Sequence, residues 1–412
     1  MIKIKNVKTL SGKVEDHIIQ SDHDVVLDVQ GKLTLLPALI DAHVHFRTPG
    51  AEHKEDWQSG AQAALAGGVT TVFDMPNNIP ACISQSTLDE KKKTIDHQLA
   101  QVKIPLRYYL YLGADQSHLE EIGKLRSKII GVKVYMGAST GGLVMTDPAA
   151  LDRTFQMAAQ ADLIVAVHAE DEKILQERAQ LFKGITDPSI HSQIRDRAAA
   201  IKAVNQAIDL AEKYSAQLFV LHVSTAEEID LIRKAKQNGI LVYAEATPHH
   251  LFLNENDYRK WGSLVQMNPP LRTREDQEAL WEAIRDGTID SIGSDHAPHT
   301  LEEKKFPYGS CPAGVPGIET LLPLLLDAYH QKMITLEKIV ALTRTNIESI
   351  FRLEHNDDVV LVDLEKIQEV RNEALKTKCG WSPFAGRKLR GWPVYTVLKG
   401  QVFHNTEEGY TI

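Results

Sequence analysis

Residues 39–76 read LIDAHVHFRTPGAEHKEDWQSGAQAALAGGVTTVFDMP: an apolar run, a helical stretch over Lys54–Ala66, and a second apolar, β-branched run. Strand, helix, strand in that order is the repeating unit of a parallel sheet. The alternation continues to about residue 345, through LRYYLYLGA, GVKVYMGA, LIVAVHAED, LFVLHVST, ILVYAEATP and DSIGSDHAP. Helical segments such as Ala149–Ala159, Arg195–Lys213 and Ala226–Gln237 lie between these runs. Eight buried strands with helical crossovers predict an α/β fold, a (β/α)8 TIM barrel over residues 39–351 that ends in a helix at Leu336–Phe351. A doubly wound open sheet is the alternative, but no Gly-rich phosphate loop follows the first strand.

Both ends of the chain depart from this pattern. Short strand-like runs at Met1–Val7, Asp24–Gln30 and Lys32–Leu36 come first, and DVVLVDL and GWPVYTVLKGQVF come last. Residues 1–38 and 352–412 are expected to form one small β-sandwich domain beside the barrel. The formal charge of −9 argues against nucleic acid and anionic membranes as partners. Cys82, Cys311 and Cys379 are scattered, which suits a reducing compartment. The first ten residues alternate like a strand and lack a signal-peptide core, and no run is long enough to span a bilayer. A cytoplasmic, soluble protein is expected. Lys91-Lys92-Lys93 reads as a solvated helix face.

The first strand ends in His43-Val-His45, with Arg47 two residues on. Side chains two apart on a strand share a face, so the three point the same way. Two converging imidazoles are half of a metal site, and an arginine beside them can grip a substrate anion. Polar residues recur at the C-terminal ends of later strands, where barrel enzymes gather their catalytic groups: Lys133, His168, His222 and Asp295. Singly, each has an ordinary explanation, as a satisfied core histidine, a snorkelling lysine or a capping aspartate. Four histidines and a carboxylate at equivalent places in one barrel are harder to ascribe to accident. Nitrogen ligands with one hard oxygen suit zinc, and their number points to two metals. Lys133 fits beside two dications if its neutral amine takes up carbon dioxide, giving an anionic carbamate whose two oxygens can bridge them.

The motifs HVHFRTPG (43–50), FDMPNN (73–78), GVKVYMGAST (131–140), VHAE (167–170), LHVST (221–225), EATPHHLFL (245–253), MNPPLR (267–272) and SDHAPHT (294–300) resemble the dihydroorotases of the amidohydrolase superfamily. The likeness runs on through PGIETLLPLLL (316–326) to WSPFAG (381–386). It implies two Zn2+ per subunit, one held by His43, His45 and Asp295, the more exposed one by His168 and His222, with carboxylated Lys133 as the bridge. It implies that Arg47, Asn77 and His299 bind a substrate α-carboxylate, and that Asn268 and the backbone near Pro312–Gly317 meet the ring amide. The segment Gly137–Gly142 is expected to be a lid carrying Ser139 or Thr140 to the substrate, its glycines serving as hinges. Relatives carry H-P-x-x-R-P after the fifth strand. Here His191-Ser-Gln-Ile-Arg195-Asp stands instead, so neither His191 nor Arg195 is expected to contact substrate. His249 and His250 are expected to be structural or to support the ligands from behind.

The implied reaction is the reversible cyclisation of N-carbamoyl-L-aspartate to L-dihydroorotate in pyrimidine biosynthesis. A hydroxide held between the metals attacks the ring amide, and Asp295 shuttles the proton. Another cyclic amidase, of the allantoinase or hydantoinase/dihydropyrimidinase type, is the nearest rival. A non-catalytic partner of aspartate carbamoyltransferase is a more distant one, since all six metal residues are present. Expected partners are the small-molecule substrate, a second copy of the chain in a homo-oligomer (dimer first), and aspartate carbamoyltransferase.

Overall fold

The computed structural model describes residues 1–406 and 409–411. Eight parallel strands stand side by side in chain order: β1 (Leu39–Val44), β2 (Val69–Asp74), β3 (Arg107–Gly113), β4 (Gly131–Tyr135), β5 (Ile164–His168), β6 (Leu218–Val220), β7 (Val242–Ala246) and β8 (Ser291–Ile292). Parallel bridges from Val44 to His296 and from His296 to Val315 join the last turn to the first strand, and the His45 N–H donates to the His296 carbonyl at 2.8 Å. This seam closes the sheet into the barrel expected from the sequence.

The strands read as apolar runs because both of their faces are covered. Val165, Val167 and Val220 pack outward with the helices, while Ile40, Ala42, Phe73, Tyr111, Ile164, Ala166 and Phe219 fill the interior. Phe351, at the end of the helix Asn346–Phe351, plugs this interior, with its ring 4.9 Å from Phe73 and 5.5 Å from Phe219. One end of the barrel is thus filled, and the polar strand ends gather at the other. In β1 the register slips between Asp41 and Val44. Strict alternation from Ile40 and Ala42 would turn His43 outward; the slip lets it face the mouth.

A second eight-stranded sheet combines Ile2–Lys8, Val14–Ile19, Val25–Asp28 and Thr34–Pro37 with Val359–Glu369, Lys388–Leu398, Gln401–Thr406 and Gly409–Thr411. The strand Thr34–Pro37 pairs antiparallel with Val359–Glu369, which knits the two chain ends together. The strand Val14–Ile19 escapes a sequence reading because it pairs with Ile2–Lys8 at the sheet edge with mostly exposed side chains, so its pattern carries no apolar alternation. Among the described residues no helix is long and apolar enough to cross a membrane.

The lysine run corrects an expectation. Lys91 is buried on the helix Gln85–Val102, in the stripe formed by Leu88, Ile95 and Leu99. Its ammonium pairs with Asp74 at 2.6 Å and donates to the Met75 carbonyl and to Asn78 Oδ1. Asp74 in turn accepts from the Phe46 N–H at 2.8 Å, and Asn78 donates to the Thr48 carbonyl. This lysine ties the ends of β1 and β2 to each other, on either side of Arg47.

Candidate metal centre and substrate cleft

One cleft of about 360 Å³ opens at the C-terminal mouth of the barrel, and His43, His45, Lys133, His168, His222 and Asp295 all line it. Arg47, Asn77, Asn268, Ser139 and Thr140 line the same cleft, and His299 stands behind Arg47. Arg47 (φ 60), His222 (φ 39) and Asp295 (φ 44) sit in the left-handed region, uncommon for residues with a side chain and characteristic of sites held by their surroundings.

Protonation follows from the partners behind each ring. Glu245 Oε1 accepts the His222 backbone N–H and lies 2.7 Å from His43 Nδ1; burial and the Asp295 charge raise its pKa well above the usual value, and in the carboxylate form that a bound cation favours it accepts the His43 Nδ1 proton. Asn77 Nδ2 donates to the Thr140 carbonyl at 2.8 Å, which turns its Oδ1 toward His45 Nδ1 at 2.7 Å. Both rings therefore carry their proton on Nδ1 and keep the Nε2 lone pair. Each Nε2 lies 3.2 Å from the same oxygen, Asp295 Oδ1. Two lone pairs and a carboxylate oxygen converge with no proton between them, and a cation resolves the conflict.

A second pair of rings stands beside the first. His168 Nε2 lies 2.9 Å from Glu170 Oε2, a carboxylate held ionised by Arg195 and His168 against its burial, so His168 Nδ1 keeps its lone pair. That atom faces His222 Nε2 at 3.0 Å, while His222 Nδ1 is buried without a partner. Burial lowers the pKa of His43 to about 4 and those of His45, His168 and His222 below the usual value, so all four rings are neutral and able to ligate. The donor set fits a metal on chemical grounds. Lys133 is buried among these groups, 4.7 Å from the centre of the Tyr135 ring, and burial pushes its amine down to about 7. A fraction of it is thus the free base near neutral pH.

The opposite wall is cationic. Arg47 Nε donates to the Pro298 carbonyl, and its terminal nitrogen approaches His299 Nε2 at 3.2 Å. Lys54 lies 3.1 Å from His299 Nδ1, and Trp381 Nε1 donates to the His299 carbonyl at 2.7 Å. Lys304, buried, donates to the carbonyls of Gln266, Pro312 and Gly314, clasping the two segments that carry Met267–Asn268 and Ala313–Gly314 to the cleft. Asn268 Oδ1 lies 3.0 Å from His191 Nε2.

A model of the amidohydrolase family matches residues 34–402. The chain belongs to that family. It is 36% identical over 404 residues to a dihydroorotase of Methanosarcina acetivorans, covering 93% of this chain and 84% of that protein. It is 34% identical over 416 residues to a dihydroorotase of Staphylococcus epidermidis, covering 99% and 95%. Among solved structures, an L-hydantoinase (dihydropyrimidinase) from Arthrobacter aurescens superposes with a TM-score of 0.91 at 26% identity, covering 97% of this chain and 95% of that one. Amidohydrolases are metal-dependent, and the group His43, His45 and Asp295 could hold an ion here.

Several members of this amidohydrolase site are invisible to motif reading. Glu245 lies in the EATPHH motif but carries no metal-ligand spacing of its own; Gly293 leaves room for it, since a Cβ there would stand 2.3 Å from Glu245 Oε2. His191 and Arg195, set aside for want of the flanking prolines, are both buried beside the site. His191 braces Asn268, and Arg195 joins Glu170 to the Ala138 carbonyl. Gly137 and Gly141 are needed for close approach, since a Cβ would meet the Glu170 carbonyl at 2.4 Å or Asn77 at 2.9 Å. His250 bonds Thr247 and the carbonyls of Pro269 and Pro270, outside the residues that line the cleft.

Proposed function

We propose that the chain is a dihydroorotase, interconverting L-dihydroorotate and N-carbamoyl-L-aspartate in pyrimidine biosynthesis. The observation that carries this over a hydantoinase is the cationic wall: Arg47, with His299 and Lys54 behind it, faces the cleft that His43, His45 and Asp295 also line. Dihydroorotate brings a ring carboxylate to such a wall, whereas hydantoin and dihydrouracil have none. The relatives named dihydroorotase support the same assignment.

Two zinc ions are the proposed cofactors, one held by His43, His45 and Asp295, the other by His168 and His222, with Lys133, carboxylated, shared between them. Bound there, they supply Lewis acidity that makes water nucleophilic near neutral pH and draws charge from the amide carbonyl. The side chains do the rest. Arg47 binds the α-carboxylate, and Asn77 Nδ2 and the His299 N–H add donors. The same Asn77 amide holds the Thr140 carbonyl with one N–H, which leaves its second N–H for the substrate and links the Ser139–Thr140 segment to the bound ring. Asn268, braced by His191, meets the ring amide. In hydrolysis the oxygen of water bonds to the amide carbon and its proton passes to the Asp295 carboxylate. Asp295 then protonates the departing ring nitrogen as the C–N bond breaks, and cyclisation reverses these steps.

Residues 39–351 form the catalytic unit in this reading, and residues 1–38 with 352–412 a small β domain. The same reading makes the protein cytoplasmic and a homo-oligomer, with a dimer as the first assembly to test. Association with aspartate carbamoyltransferase belongs to the same reading; a multifunctional protein of Dictyostelium discoideum is 37% identical over 373 residues, a match that spans 15% of that longer chain. The deciding experiment follows ring opening of L-dihydroorotate, allantoin and hydantoin, with and without chelator. Fast, chelator-sensitive opening of dihydroorotate is expected, with the uncharged rings opened only slowly. Opening of only the uncharged rings assigns a hydantoinase or allantoinase, and inactivity of a fully metallated sample assigns a non-catalytic partner.

A further inference from the structure

Behind the cationic wall stands a row of groups that the ring chemistry does not itself require. The Lys54 ammonium lies 3.1 Å from His299 Nδ1 and 2.9 Å from Glu303 Oε1. Glu303 is fixed at the start of the helix Leu301–Lys304, where its other oxygen accepts the Thr300 N–H. An ammonium has donors only, so it can meet Nδ1 only where that nitrogen keeps its lone pair. The ring proton then sits on Nε2, 3.1 Å from the Ala313 carbonyl that accepts it. The other tautomer sets an N–H against the ammonium and a lone pair against the carbonyl, retaining the 3.2 Å approach of Arg47 and a long, 3.9 Å approach of Nδ1 to Glu303 Oε2. The doubly protonated ring is opposed by burial and by the charges of Arg47, Lys54 and Lys304, which hold its pKa well below the usual value.

We propose that Lys54 is a positioning residue for substrate selection: steadied by Glu303, it locks His299 as the Nε2–H tautomer. The neutral ring and Arg47 then together select rings that bear a carboxylate. The inference deepens the dihydroorotase reading and rests on it. Arg47 supplies the charge and His299 a directed N–H. An incoming carboxylate is a stronger acceptor for that proton than the Ala313 carbonyl.

The test compares the full-length metallated protein with Lys54→Met, which keeps the bulk without a donor, and Lys54→Arg, which restores a cation. Steady-state kinetics on L-dihydroorotate and on dihydrouracil, the same ring without its carboxylate, are measured beside metal content. Nitrogen-15 NMR of histidine-labelled protein reads the His299 tautomer independently of turnover. In Lys54→Met the KM for dihydroorotate should rise about tenfold, as for loss of a charged hydrogen bond. Metal content, kcat and the dihydrouracil reaction should stay within about twofold, a KM-against-kcat split that marks lost binding. The tautomer signal should become mixed, and Lys54→Arg should recover part of the KM. An unchanged KM and tautomer overturns the proposal, and so does an equal loss on both rings. Should Lys54→Met fail to fold, the wild-type spectrum still decides, because a proton on Nδ1 excludes the lock. Wild-type protein that opens no dihydroorotate overturns the functional reading instead, while the spectrum judges the lock.

Discussion

His43 and His299 are both buried at the mouth of the same barrel, yet their outer nitrogens lean on opposite partners. Behind His43 stands the Glu245 carboxylate, an acceptor that draws the ring proton away from the cleft and leaves a lone pair aimed at Asp295. Behind His299 stands the Lys54 ammonium, a donor that sends the ring proton the other way. An imidazole is nearly symmetric in its chemistry, and what stands behind it decides whether it presents a lone pair or an N–H. One cleft presents both outcomes, lone pairs beside Asp295 and an N–H beside Arg47.

The contrast can be broken from either side. The largest effect should come from Asp295→Asn, which removes the carboxylate where the lone pairs converge: kcat is expected to fall by about 10³-fold with KM nearly unchanged. A parallel rise in KM would make Asp295 a binding group. On the cationic wall, Arg47→Met should raise KM for dihydroorotate about a hundredfold, as for loss of a buried charged contact, and leave dihydrouracil opening alone; an equal loss on both rings would detach Arg47 from the carboxylate. Glu245→Gln keeps an acceptor behind His43 but removes its charge, so metal affinity in a chelator competition should weaken by about tenfold. Unaltered affinity would mean that Glu245 only fills space. A separate effect, on stability and not on catalysis, concerns His191 and His250, whose rings lie outside the metal cluster and whose pKa values burial lowers to about 3 and about 4. Each binds a proton more readily unfolded than folded, so its stabilising contribution is complete above about pH 6.5 and is lost as pH falls toward 4, at about 1.4 kcal/mol per pH unit per group. The change in urea midpoint of the metal-free protein between pH 7 and pH 5, compared between the wild type and His191→Gln or His250→Gln, isolates each contribution, and a change that the substitutions leave as it was would mean that the two rings titrate normally.

The barrel was legible because apolar runs and helical stretches alternate eight times, a signal local to each segment. The histidines and Asp295 were legible because each closes such a run, and the structure brings them into one cleft. Their partners were not. Glu245 is 202 residues from His43 in the chain, and Lys54 is 245 from His299, so no spacing rule connects them. Lys91 was legible in principle, since Leu88, Ile95 and Leu99 mark the buried stripe it shares, but a run of three lysines conceals which one turns inward. The edge strand Val14–Ile19 has too few buried side chains to register as a pattern.

The seam at His296 has a consequence for how the protein comes into being. His43 and His45 stand on one side of it and Asp295 on the other, with the His45 N–H bonded to the His296 carbonyl across it. A nascent chain that has delivered seven of the eight strands already carries every histidine of the cluster, yet it has no acid and no closed ring to hold them. Intermediates are common for chains of this length, and any form with an open seam lacks the acid beside the histidines. The enzyme switches on when the last strand arrives, so activity itself reports that the circle has been completed.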